Sequence, residues 1–242
     1  VTRHLLVTND YPPKVGGIQA YLWELWRRLP PDDVVVYTTP YEGAAAWDAA
    51  QDHRVLRSRE PWLGPYPWLA KRVVRLADEV GAGLILLDPA VPLGMIGPSL
   101  GRTYGVVLHG AEVTVPGRIP GSRQVLGRVL RGASVVIAAG GYPAAEAELA
   151  AGRPLPTTIV PPGVDTERFH PLGADDRAAV RRRLGLDPEA PLLLSVSRLV
   201  PRKGMDTFIE AAARLRPRHP DLQTVIVGAG RDRRRLEGIA RR

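Results

Sequence analysis

The 242-residue sequence is 45% hydrophobic and 24% charged, carries a formal charge of +8 and contains no cysteine. Those proportions suit a soluble globular chain with material for one large domain or two modest ones, and they exclude disulfides and thiolate chemistry. No apolar stretch reaches the ~18 residues a membrane-spanning helix needs, and no basic-then-apolar leader opens the chain, so a cytoplasmic protein is expected.

His4–Asn9 reads as a short apolar strand ending at a turn-rich stretch, Asp10-Tyr11-Pro12-Pro13-Lys14-Val15-Gly16-Gly17. Ile18, Leu22, Leu25, Trp26 and Leu29 then recur at helical spacing. Strand-like runs follow at Val34–Thr39, Leu84–Leu87, Tyr104–Leu108, Val135–Ala138 and Thr157–Val160, with helix-like segments at Trp68–Val80, Ser122–Arg131 and Pro143–Ala151. Strands alternating with helices predict an α/β fold with a parallel sheet, and ligands in such sheets bind beyond the carboxyl ends of the strands. Pro161-Pro162-Gly163-Val164-Asp165 closes this first unit. A helix-like Asp175–Leu184 leads to a second strand–helix start: strand Leu192–Val196, helix Met205–Arg216, strand Thr224–Val227 and a basic helix from Asp232. The expected organisation is a complete domain over 1–170, a linker over 171–190, and an incomplete second domain over 191–242. Charge follows that division: 17 basic residues stand against 16 acidic ones through residue 170, and 16 against 9 beyond it. A basic second piece attracts phosphate-bearing partners without choosing among them.

Five places carry chemistry. Ser197-Arg198-Leu199-Val200-Pro201-Arg202-Lys203-Gly204 sets two cations, Arg198 and Lys203, between an apolar strand and a helix start. The helix end offers unpaired N–H groups and the cations full charges, so the loop suits a diphosphate; solvated surface is the plain alternative. Gly16-Gly17 stands between the first strand and first helix, where glycines let backbone approach a phosphate or simply make a turn. Gly228-Ala229-Gly230 follows a strand as well, but Arg233 stands where a dinucleotide fingerprint would carry its third glycine. His109, with Gly110 and Glu112, sits just past an apolar strand, where an imidazole can donate to a substrate hydroxyl or a developing charge, or merely satisfy loop carbonyls. Trp62, Tyr66 and Trp68 beside Lys71, Arg72 and Arg75 suit an anionic membrane interface or a packed loop. No metal-ligand spacing, Walker A loop or G-x-S-x-G elbow occurs.

In this order, Asn9-Asp10-Tyr11-Pro12-Pro13 with Gly16-Gly17-Ile18, His109-Gly110, Pro161-Pro162-Gly163-Val164-Asp165 with Phe169, Ser197–Gly204 and Val227-Gly228-Ala229-Gly230 resemble glycosyltransferase family 4. These are retaining enzymes of the GT-B architecture, and the likeness is nearest to the actinobacterial mannosyltransferases that build phosphatidylinositol mannosides. The resemblance implies two Rossmann-like domains across a cleft, acceptor mostly on the first and sugar nucleotide mostly on the second. It implies that Arg198 and Lys203 neutralise the donor diphosphate as it leaves. Gly16 and Gly17 would approach the distal phosphate, Gly228 and Gly230 would line the nucleotide, His109 would contact the transferred sugar, and Asp10 would meet acceptor hydroxyls. No metal or other cofactor is expected; GDP-mannose is the expected donor and a phosphatidylinositol mannoside, a lipid-linked polyol, the expected acceptor. Trp62, Trp68, Lys71, Arg72 and Arg75 would then face the inner leaflet of the plasma membrane. The family's Glu-x7-Glu element has no counterpart before Arg242, so the chain alone is expected to be inactive or nearly so. The alternatives are a family 4 transferase using a UDP-sugar, a non-catalytic acceptor- or membrane-binding module and, last, a nucleic-acid binder; no nucleic-acid partner is expected, since no aromatic platform accompanies the basic tail.

Overall fold

A computed structural model describes residues 2–241. The chain divides into two compact units, Val1–Val164 and Asp165–Arg242.

The first unit is a Rossmann-like layer structure. Its elements are β1 (His4–Thr8), α1 (Gly17–Trp26), β2 (Val34–Thr38), α2 (Ala44–Ala49), β3 (Arg54–Arg57), α3 (Pro67–Glu79), β4 (Leu84–Asp88), β5 (Tyr104–Leu108), α4 (Ala111–Gly117), α5 (Ser122–Gly132), β6 (Val135–Ala138), α6 (Gly141–Ala151) and β7 (Thr157–Ile159). The seven strands form one sheet in the order β3-β2-β1-β4-β5-β6-β7, and every adjacent pair is parallel. Strands β1, β2 and β5 are buried along their whole length, as a sheet covered on both faces requires. Alternation then sorts their side chains. Leu5, Val7, Ile85, Leu87, Val106 and Leu108 join the core beneath α3, α5 and α6, whereas Leu6, Val36, Leu86 and Val107 join the opposite core with Leu22 and Trp26 of α1. The helical pattern expected from Ile18 onward is the pattern that packs: Leu22 and Trp26 are fully buried, and Ile18, Leu25 and Leu29 close over them. Burying a side chain of that size contributes about 1.5–3 kcal/mol.

The second unit holds α7 (Ala174–Arg183), β8 (Leu192–Val196), α8 (Met205–Leu215), β9 (Gln223–Val227) and α9 (Arg233–Ala240). Helix α7 falls inside the stretch expected as a linker. Strands β8 and β9 pair in parallel from Leu192↔Gln223 to Val196↔Val227. Leu199, Met205 and Leu236, with Ile209 and Ile226, make a small core. Leu194 and Val196 are 55% and 71% exposed, so one face of this two-stranded sheet carries apolar side chains in the open. None of the described helices is long and apolar enough to cross a membrane.

Strand β3 and the short helices α2 and α4 are the elements the sequence did not reveal. Arg54-Val55-Leu56-Arg57 is four residues long, bracketed by cations, and has too little alternation to stand out. The other expected strands and helices are present, their ends shifted by one or two residues.

Candidate active site

In the first unit the candidate residues gather at the carboxyl rim of the sheet. Register sets Thr38, Thr8 and Asp88 side by side at the ends of β2, β1 and β4. Asp88, only 1% exposed, was not foreseen from sequence, because one aspartate before a proline has no distinguishing pattern. Its Oδ2 accepts from the Thr8 hydroxyl at 2.6 Å, and its Oδ1 lies 2.7 Å from His109 Nε2. The His109 ring packs edge-on against Tyr21 of α1, centroids 5.4 Å apart, and the Tyr21 hydroxyl donates to the Val160 carbonyl at 2.8 Å. Burial opposes a charged His109 imidazole, but the Asp88 hydrogen bond and charge, with Glu112 and Asp10 beyond, hold it above the usual histidine value. Glu112 turns back on its own loop, its carboxylate accepting from the His109 N–H and, at 2.8 and 3.1 Å, from the Gly110 N–H. Gly110 sits at φ 147°, a backbone angle that favours glycine.

Asp10, on the loop between β1 and α1, accepts from Lys14 at 2.8 Å and Gln19 at 2.5 Å through the same oxygen, Oδ1. Its own N–H donates to Thr8 Oγ1 at 2.9 Å. Around it the loop is held from three sides. Asn9 exchanges two hydrogen bonds with the backbone of Leu63 (2.9 and 2.7 Å), and the Tyr11 hydroxyl meets His53 Nε2 at 2.8 Å. Arg57 of β3 donates to the Pro12 carbonyl at 2.6 Å and the Thr39 carbonyl at 3.0 Å while pairing bidentately with Asp48 at 2.6 and 3.0 Å. A Cβ at Gly16 would strike the Gln19 amide at 2.2 Å, whereas one at Gly17 would meet nothing within 4 Å. Gly17 opens α1 with no acidic residue in its first turn, so the N–H groups there face no carboxylate of their own helix.

The aromatic cluster lies on the segment before α3 and on the first turns of that helix. Trp62 meets Tyr66 edge-on at 5.9 Å, Tyr66 stacks on Trp68 at 5.6 Å, and the Arg72 guanidinium lies 5.0 Å over the Trp68 ring. Trp62 and Trp68 are 45% and 40% exposed. Arg72 also pairs with Glu60 at 2.9 Å, while Lys71 and Arg75 are exposed and form no ion pair among the described residues.

In the second unit Arg198, Arg202 and Lys203 lie on the loop between β8 and α8. Among the described residues no carboxylate pairs with the Arg198 guanidinium or the Lys203 ammonium. Gly204, at φ 65°, closes the Pro201–Lys203 turn and starts α8. Gly228 and Gly230 have a structural reason to be glycine. Leu199 N–H donates to the Ala229 carbonyl at 2.9 Å and Ser197 N–H to the Val227 carbonyl at 3.0 Å, zipping the loop after β8 to the loop after β9. A Cβ on Gly228 would lie 1.8 Å from the Ser197 carbonyl oxygen, and one on Gly230 2.2 Å from that of Leu199. The glycines thus bring the loop after β9 against the backbone on either side of Arg198.

Comparison with known proteins bears on both units. Residues 176–242 match the family described as glycosyl transferases group 1. A GDP-mannose-dependent alpha-(1-6)-phosphatidylinositol monomannoside mannosyltransferase of Mycolicibacterium smegmatis is 39% identical over 93% of this chain and 60% of its own length. The monoacylated-acceptor counterpart of Corynebacterium glutamicum is 34% identical over 98% of this chain and 64% of its length. The chain thus spans about three fifths of the length of these relatives. Among solved structures, Anabaena HepE in complex with UDP superposes with a TM-score of 0.76 at 22% identity, covering 98% of this chain and 65% of that one. Sucrose-phosphate synthase from Thermosynechococcus elongatus gives 0.69 at 21%, over 99% and 67%. Those likenesses establish a GT-B type fold; along nearly its whole length the chain is similar to the mannosyltransferase relatives, and its residues 176–242 match the group 1 glycosyl transferases.

Proposed function

We propose that this chain carries the acceptor-side domain and the diphosphate-binding start of the donor domain of a retaining mannosyltransferase. The donor is GDP-mannose and the acceptor a phosphatidylinositol mannoside. The observation that carries the reading is the pair of uncommitted cations, Arg198 and Lys203, on the strand-to-helix loop of the family-matched segment. As the glycosidic bond of a sugar nucleotide loosens, negative charge accumulates on the departing diphosphate. Fixed cations and the N–H groups of α8 then bind the transition state more tightly than the ground state. In the first unit, Gly17 leaves the start of α1 open to a phosphate oxygen, His109 stands for the transferred sugar, and Asp10 offers its second carboxylate oxygen to an acceptor hydroxyl. Trp62, Trp68, Lys71, Arg72 and Arg75 form an amphipathic surface suited to an anionic bilayer, where a lipid-linked acceptor would be met. The choice of GDP-mannose over a UDP-sugar is supported by relatives alone.

Calorimetric titration of the chain with GDP and with UDP tests the reading. Saturable GDP binding, tighter than UDP and reduced at least tenfold in Arg198→Ala and Lys203→Ala, is expected; equal binding by the variants would refute it.

A further inference from the structure

The buried carboxyl at the end of β4 has no part in the reading above, and its hydrogen-bond chain restricts where the protons lie. The Asp10 N–H donates to Thr8 Oγ1 at 2.9 Å, so the hydroxyl proton of Thr8 is free to point at Asp88 Oδ2, 2.6 Å away. Oδ2 thus accepts from Thr8; burial pushes the Asp88 carboxyl up, the His109 bond and charge and the Thr8 bond pull it down, and a carboxylate at Oδ1 would take its 2.7 Å contact from the Nε2–H of His109. Among the described residues nothing is bonded to Nδ1 of that ring. We propose that Asp88 is a positioning residue that keeps the Nε2–H of His109 turned inward, so that this imidazole addresses the bound sugar as a cationic donor through Nδ1–H and not as a general base. The inference rests on the reading that His109 meets the transferred sugar, and it extends that reading to tautomer, charge and the residue that sets them.

Three neighbouring elements bring a carboxylate toward the ring. Asp88 comes from β4, Glu112 from α4 and Asp10 from the loop after β1, the last partly neutralised by Lys14. From α1, Tyr21 contributes only a ring edge and a hydroxyl already committed to Val160. Burial, which leaves just 10% of the side chain exposed, opposes the charge, but the Asp88 bond and charge, with Glu112 and Asp10, hold the ring above the usual histidine value. A donor so held needs no reorganisation when an oxygen arrives beside it.

The test is imidazole NMR on the intact chain. Long-range 1H–15N correlation spectra are assigned to His109 by the peaks lost in His109→Gln and followed from pH 5 to 9. The expected result is a midpoint above that of a free histidine and, above the midpoint, a neutral ring protonated at Nε2. Asp88→Asn should bring the midpoint below that of the wild type. Thr8→Val removes the hydroxyl that draws charge from Asp88 and should move it the opposite way, upward. An Nδ1–H neutral tautomer in the wild type, which needs no variant to fold, would overturn the proposal. So would a titration indifferent to both substitutions. Should the titration fail while GDP still binds at Arg198 and Lys203, this inference falls alone; absent GDP binding with the expected titration rejects the functional reading instead.

Discussion

Arg57→Ala should be among the most damaging single substitutions in the first unit, although nothing in the sequence marks that residue. Its guanidinium is 14% exposed and its partner Asp48 18%, so the pair is largely removed from water. Removing one member of such a pair leaves an uncompensated carboxylate, at a cost of about 3–5 kcal/mol when burial is complete. The residual exposure of both side chains lowers that to ~2–3 kcal/mol. The Thr39 and Pro12 carbonyls each lose a charged donor as well, and the carbonyls regain water in part, adding about 1 kcal/mol. A loss of roughly 3–4 kcal/mol is a large share of the ~5–15 kcal/mol a domain commands. Urea denaturation of wild type, Arg57→Ala, Asp48→Ala and the double variant measures it. The double variant should lose less than the sum of the singles by about 1.5–3 kcal/mol, since removing Asp48 removes the stranded charge. Amides from Asp10 to Gly17 should exchange faster in Arg57→Ala, because the Pro12 carbonyl is one of the anchors of that loop. A destabilisation under 1 kcal/mol, or strict additivity, would show that the ion pair does not hold the loop and refute the reasoning.

Two further outcomes follow from the same contacts. Burial pushes the His4 and His53 imidazoles below the usual histidine value, against the Asp33 charge in one case and the Asp52 and Asp48 charges in the other. The unfolded chain therefore takes up protons first, so stability from these two residues is whole above pH ~6.5 and lost as pH falls through that value. His109, held high, contributes the reverse: stability present below pH ~6.5 and lost as pH rises through its folded midpoint. Thermal melts of His4→Gln and His53→Gln should show less loss between pH 7 and 5 than the wild type, and equal losses would contradict the assignment. For the aromatic surface, sedimentation with vesicles containing 30% anionic lipid should fall at least fivefold in a Trp62→Ser, Trp68→Ser variant and fall with salt in the wild type. Binding unaffected by either change would remove the membrane reading.

The sequence made the layered fold legible because parallel strands buried on both faces are written as unbroken apolar runs such as His4–Thr8 and Tyr104–Leu108. An edge strand as short as Arg54–Arg57 leaves no such mark, and with it went Arg57, whose role depends on contacts 9 to 45 residues away along the chain. Asp88 was hidden for a related reason. A lone aspartate acquires meaning only when register sets it beside Thr8 and a later loop brings His109 over it. The glycines divide along the same line. Gly17 has open space where a Cβ would stand, whereas Gly228 and Gly230 are fixed by the passage of one loop against another, a constraint with no sequence signature. The strand-to-helix loop of Arg198 and Lys203 was readable because its chemistry is local: cations, a turn glycine and a helix start within ten residues.

That loop is also where the account is most exposed. Calorimetry of GDP against the wild-type chain and the Arg198→Ala, Lys203→Ala double variant, at two salt concentrations, measures its charge recognition directly. Saturable, salt-sensitive binding by the wild type is expected, tighter for GDP than for GMP because two phosphates meet two cations, with no measurable binding by the double variant. Equal affinity for GDP and GMP, or a double variant that binds as the wild type does, would contradict it.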